Sequence, residues 1–125
     1  MTHMPIQLHA ALRAHAQGLY ACEAATELLI MHASWLHRSD FLNEFVHTGP
    51  GLISGIPMAA VNWPEAITAL ENGHLPCSGG ESRILKIAAS LAEGIPVNLR
   101  DALTGLDSAN IGLVVSAVLH TGGQK

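Results

Sequence analysis

The segment that decides the fold, residues 78–94, reads SGGESRILKIAASLAEG. Ser78 and Glu81 have the spacing of a capping box, in which each side chain accepts a hydrogen bond from the backbone N–H of the other residue. Apolar side chains then recur at three- and four-residue steps up to Gly94, a residue that commonly ends helices. The segment therefore predicts a helix with one buried face. That face consists of Ile84, Leu85, Ile87, Ala88 and Leu91.

Upstream, the pattern predicts one long first helix over residues 7–33. Leucine and isoleucine recur there at helical steps and fall on about a third of the circumference. Gly18 lies inside this helix and costs about 1 kcal/mol relative to alanine, so we expect a bend or a close contact there. A short second helix is expected over residues 40–47, with Ser39 as its N-cap.

Downstream, three further helices are marked by their ends. The first of them begins near Pro64 and ends at Gly73. A short helix follows Asn98, and the last helix, over residues 108–120, begins after Asp107. The residues of this last helix that we expect to face the core are Ile111, Val114, Val115, Val118 and Leu119.

Together these elements predict an all-α fold, a compact multi-helix domain of about six helices that spans residues 1–125. We expect the long first helix to pack against the helices over residues 81–93 and 108–120. Residues 48–61 contain several Gly and Pro residues and predict one long apolar loop, within which residues 58–61 form a short strand.

The composition favours a protein partner and disfavours nucleic acid. Hydrophobic residues make up 49% of the chain and charged residues 13%, which excludes disorder and leaves too little charge to cover the surface. The net charge is −4, and the six Lys and Arg residues form no cluster that could neutralise phosphates. We therefore expect a homo-oligomer or a subunit of a complex.

The chain also lacks the patterns of a membrane or secreted protein. Its most apolar long stretch, residues 19–36, is interrupted by Glu23, Glu27 and His32. The first residues, MTHMP, do not have the basic and then apolar pattern of a signal peptide. We expect a cytoplasmic protein with reduced thiols at Cys22 and Cys77 and no membrane contact.

One candidate site is the start of the helix after Cys77. The backbone amides of Ser78, Gly79 and Gly80 could hold an anion at the positive end of the helix dipole, with Arg83 closing from the side. The same field would lower the pKa of Cys77, and His74 could then act as its base. The alternative is that Ser78 and Glu81 already satisfy the amides, in which case the junction is an ordinary cap.

A second candidate is the loop over residues 48–61. It could line a ligand pocket flanked by His47 and Trp63, or it could plug the helical bundle or form an interface. The residues of the loop that we consider as interface candidates are Leu52, Ile53, Ile56 and Met58.

Other chemistries find little support. Residues 84–103 have roughly the lengths of a helix-turn-helix, but the second helix offers only Arg100 as a cation. The eight histidines show no HExxH motif and no i,i+4 pair, so we expect no metal site and no cofactor.

The function that the sequence favours is a small helical interaction or accessory protein, self-associating or part of a complex. The first alternative is a ligand- or anion-binding protein, or a minor enzyme, that uses residues 77–83 and the loop over residues 48–61. A helix-turn-helix regulator that associates with DNA is the further alternative.

Overall fold

The computed structural model describes residues 5–50 and 57–124, apart from the side chains of Pro5, Ile6 and Pro50. Within these ranges the chain forms seven α-helices, one 3₁₀ turn and one antiparallel pair of strands, which confirms a mostly helical, compact fold. The elements in chain order are α1 (Pro5–Ala16), α2 (Tyr20–His32), the 3₁₀ turn (Trp35–His37), α3 (Ser39–Phe45), β1 (Val46–Pro50), β2 (Pro57–Val61), α4 (Trp63–Glu71), α5 (Gly79–Glu93), α6 (Leu99–Thr104) and α7 (Ser108–Thr121).

The prediction of one long first helix is wrong, because the chain turns between α1 and α2. Gly18 adopts φ +93°, a conformation that glycine enters without steric cost. Leu19 is extended, and its side chain is 62% exposed although the helical pattern placed it on the buried stripe. The Glu23 carboxylate accepts a hydrogen bond of 2.9 Å from the Gly18 N–H, which stabilises the turn.

The predicted helix starts downstream are confirmed where a side chain caps them. Asn62, Ser78, Asn98 and Asp107 each accept a hydrogen bond from the backbone N–H three residues later. The prediction of Ser39 as a cap is wrong, because Arg38 occupies the N-cap position of α3 without a side-chain hydrogen bond.

The predicted loop over residues 48–61 is wrong at its first end, because residues 48–50 belong to a strand that pairs with the predicted one. β1 and β2 form an antiparallel ladder in which Val46 faces Val61 and Thr48 faces Ala59. The strand predicted over residues 58–61 is confirmed as part of β2. β2 packs against α1 and buries Ala59, so one face of the strand pair is covered by the helical part of the chain.

The core is organised around α2, which packs against both α5 and α7. This packing was predicted for the long first helix and holds for its second half. The largest fully buried side chains are those of Trp35, Phe41, Leu29, Ile84 and Leu85. Alanines with no exposed surface lie on α2 and α5, which lets the helices approach closely. They are Ala24, Ala25, Ala88 and Ala89.

Candidate interaction surface

The sequence of α7, SANIGLVVSAVLHT, contains no Asp, Glu, Lys or Arg. A surface helix normally places charged side chains on the side that faces water, and a helix that is apolar all round is normally buried. α7 packs against α2 and α5 with one side only, the side of Val114 and Ala117. Its other side therefore lies at the surface without the charges that such a side usually carries.

The predicted core face of α7 is wrong at three residues, which lie on its outward side. Val115 is 52% exposed, Val118 56% and Leu119 45%, whereas Val114 is buried. Four exposed residues follow each other at steps of four, three and four along this side, the spacing of a helix-packing seam. They are Ser108, Gly112, Val115 and Leu119, which we call the α7 seam.

Gly112 lies in the middle of α7 and has open space around it. A Cβ atom added there would meet no atom within 4 Å among the described residues. A glycine inside a helix costs about 1 kcal/mol relative to alanine, and the packing of α7 on α2 and α5 does not require one here. The hollow that Gly112 leaves faces outward, on the α7 seam.

The C-terminal end of α7 is fastened to the turn between α1 and α2. His120 Nε2 lies 2.7 Å from Glu23 Oε1, and the other oxygen of Glu23 accepts from the Gly18 N–H. The Tyr20 ring meets the His120 ring edge-on, with 5.9 Å between the ring centroids. Tyr20 is itself 58% exposed, so a large side chain lies at the surface at this end of α7.

At the start of α5, two of the predicted anion-binding groups, the Ser78 N–H and the Arg83 side chain, bind other groups of the protein. The Ser78 N–H donates to Glu81 Oε1 at 2.8 Å, and the Glu81 N–H donates to Ser78 Oγ at 3.1 Å. Arg83 Nε donates to the Asp101 carbonyl at 3.2 Å, so this side chain ties α5 to α6. Its guanidinium fits beside Gly79 and Gly105, where added Cβ atoms would collide with it. Gly80 lies beside Asn110 of α7. The junction therefore caps α5 and joins it to the neighbouring helices.

Cys77 does not have the character of an activated nucleophile. Burial raises the pKa of its thiol, and the nearby Glu81 carboxylate raises it further. This direction is opposite to the shift that the nucleophile hypothesis requires, since the thiolate is the reactive form. His74 lies exposed before the junction, and no described hydrogen bond links it to Cys77.

The second predicted site is only partly within the described residues. His47 is exposed on β1, whereas Trp63 is buried at the start of α4, so they differ in access to a ligand. Met58 is half-buried on β2. Leu52, Ile53 and Ile56 lie outside the described residues.

A groove of about 610 Å³ separates α1 from α2 and ends at His120. Arg13 and Glu27 cross it with two hydrogen bonds, of 2.7 and 3.0 Å. Because the ionisable groups of its wall pair with each other, the groove presents no charge directed at a ligand.

The capping box at α5 makes stability depend on pH. The Ser78 backbone N–H, which donates to the Glu81 carboxylate, holds the pKa of Glu81 below its ordinary value. A depressed pKa stabilises the fold above the pKa of the unfolded chain, about 4.3, and this contribution is lost as the pH falls through the folded pKa. We expect Glu81→Gln to reduce the loss of stability between neutral and acid pH, measured as urea midpoints at about pH 7 and pH 3.5.

The control is Glu44→Gln, the same substitution at an exposed position of α3. It should leave the acid-side loss as in the unmodified chain. An equal change for both variants would contradict the role of the Glu81 cap.

Three further observations on the described part of the chain concern other kinds of function. No group of three or more His, Cys, Asp or Glu residues lies close enough to hold a metal ion. Among the same residues, no helix combines the length and apolar character needed to cross a membrane. α6, the second helix of the proposed helix-turn-helix, has only six residues.

The outward side of α7 was not predicted from the sequence, because Val115, Val118 and Leu119 were expected to face the core. The sequence did contain a signal, the absence of Asp, Glu, Lys and Arg over 14 residues. A helix with only one buried side normally carries charged residues on its other side. The chain matches no family model, no curated protein and no solved structure at a significant level.

Proposed function

We propose that this chain is a protein-interaction module that docks another protein surface on the outward side of α7. The observation that carries the proposal is a helix without Asp, Glu, Lys or Arg that exposes about half of Val115, Val118 and Leu119. Contiguous apolar surface of this kind is typical of docking sites on small proteins.

The position of the surface suits this role. α7 is held on its inner side by α2 and α5, and its end is fastened through the contact between His120 and Glu23. A rigid helix that presents its anchors in a fixed geometry loses little entropy on binding. Docking on α7 therefore requires no rearrangement of the core.

Site-specific photo-cross-linking in cells of the source organism tests the proposal. A photoreactive phenylalanine analogue replaces Val115 in one variant and Leu99 in the other. Leu99 is a matched control, because it is 57% exposed but lies on α6. We expect a discrete covalent adduct with a protein from position 115 only.

The adduct must depend on the neighbouring surface. Adding Val118→Glu should abolish it, because a carboxylate buried in an apolar interface is strongly unfavourable. Equal labelling from positions 115 and 99, or no adduct from either, would refute docking on α7.

A further inference from the structure

We infer that the protein surface docked on α7 is a second copy of this chain, paired with the first through antiparallel α7 helices. This inference rests on the proposed function and names its partner. Its geometry is isologous, so each copy contributes the same residues to the contact.

The charge of the surface is the first argument for a second copy. In an isologous contact a charged residue near the axis meets its own equivalent, and like charges repel. The α7 seam contains no ionisable side chain, although the chain as a whole carries a net charge of −4. A surface that selected a partner of opposite charge would carry charge itself. The neutral seam is therefore compatible with its own copy.

The order of large and small residues is the second argument, and it also fixes the direction of pairing. Along the α7 seam two small residues, Ser108 and Gly112, are followed by two larger ones, Val115 and Leu119. In antiparallel pairing, Ser108 can face Leu119 of the other copy while Gly112 faces its Val115. Every layer then combines a small with a large side chain, the arrangement that packs facing helices most evenly.

Parallel pairing would not achieve this. Each residue would face its own equivalent, so the layers at Ser108 and Gly112 would leave gaps while those at Val115 and Leu119 would be crowded. Antiparallel helices also place the positive end of one dipole beside the negative end of the other.

The open space at Gly112 is the third argument. Nothing among the described residues of the chain occupies the position of a Cβ atom there, so the packing of one molecule does not explain a glycine inside a helix. Val115 of a second copy would occupy that space. The seam is short, since residues 108–119 span about 16 Å along the helix, and an interface of this size lies at the weak end of specific contacts.

Sedimentation equilibrium of the purified chain tests self-association. We expect a reversible monomer–dimer equilibrium with a Kd on the order of 10 µM. Val115→Glu should weaken it at least about tenfold, because the carboxylate would be buried without a partner. Leu99→Glu, the same charge at an exposed apolar position of α6, should leave the Kd unchanged. A strict monomer at high micromolar concentration would overturn the inference.

Disulfide trapping tests the direction of pairing, in a chain whose Cys22 and Cys77 are replaced by alanine. In the antiparallel arrangement, Ser108→Cys mixed with Leu119→Cys should form a mixed disulfide, and neither variant alone should form a disulfide between its two copies. Equivalent positions would lie 11 residues apart, about 16 Å along the helices, beyond the reach of about 7 Å for a disulfide. Disulfides from each variant alone would indicate parallel pairing and overturn the antiparallel assignment.

Gly112→Ala provides a test that keeps the native cysteines and does not depend on a disruptive substitution. The alanine should raise the urea midpoint of the monomer at low concentration, because it favours the helix and meets no atom. It should also raise the Kd of the dimer several-fold, because it fills the space facing Val115 of the other copy. An unchanged Kd beside a raised midpoint would contradict the close approach at Gly112.

The two proposals fail in different ways. A monomeric chain whose position 115 still yields an adduct with a different protein would refute the second copy and leave docking on α7 in place. A monomeric chain that yields no adduct would refute both.

Discussion

Trp35→Ala should lower the free energy of unfolding by about 3–5 kcal/mol, enough to bring a small domain close to unfolding. The indole ring has no exposed surface and packs against Phe41, with 5.2 Å between the ring centroids. Its N–H donates to the Glu81 carbonyl at 2.9 Å, in the first turn of α5. The Arg38 guanidinium lies 4.8 Å from the ring centroid on the outer side. The substitution would therefore leave a cavity and release the 3₁₀ turn from α5.

Trp35→Phe separates the two contributions of this side chain. It keeps most of the apolar volume but cannot donate to Glu81, so we expect a smaller loss of about 1–2 kcal/mol. Urea unfolding measures both variants, and the slope of the transition shows whether unfolding remains two-state. If Trp35→Ala lost less than about 1 kcal/mol, the central position of Trp35 in the core would be wrong.

The features that could be predicted from the sequence are those decided within a few residues. The caps at Asn98 and Asp107 and the capping box at Ser78 each depend on one side chain and the backbone N–H three residues later. The partners of such hydrogen bonds lie within one turn of the chain, so no contact with a remote segment is needed to identify them. For this reason, the start of α5 was predicted correctly.

The break between α1 and α2 could not be placed from periodicity alone. Gly18 is compatible with a helix interior, at a cost, and with the left-handed turn that the structure shows. The choice depends on contacts remote from the turn, because α1 packs against β2 while α2 packs against α5 and α7. The strand pair was also difficult to predict, because a strand depends on its partner strand. The partner of β1 is β2, which begins only after residue 56.

The candidate surface was the hardest feature to predict, for a related reason. An amphipathic helix reveals its buried side by contrast with its polar side, but α7 has no charged side to provide that contrast. Only the packing of Val114 and Ala117 against the other helices identifies Val115 and Leu119 as outward. Likewise, the sequence showed that Arg83 follows the amides of α5 but not that Asp101 holds it.

Ala88→Leu should lower the free energy of unfolding by about 1–3 kcal/mol, by adding volume where there is none. Ala88 lies on α5 and has no exposed surface. α5 and α7 are the two helices against which α2 packs most extensively. Proteins are packed as densely as organic crystals, so three extra carbon atoms must force side chains off their rotamers or separate the helices. Thermal or urea unfolding against the unmodified chain measures the loss.

Glu93→Leu is the matched control, because it introduces the same side chain at an exposed position of α5. Its effect should remain within about 0.5 kcal/mol, as for most surface substitutions. A similar small effect of Ala88→Leu would show that the core leaves room beside this position of α5. Close approach of α2 and α5, which supports α7 and its outward seam, would then no longer follow from their buried alanines.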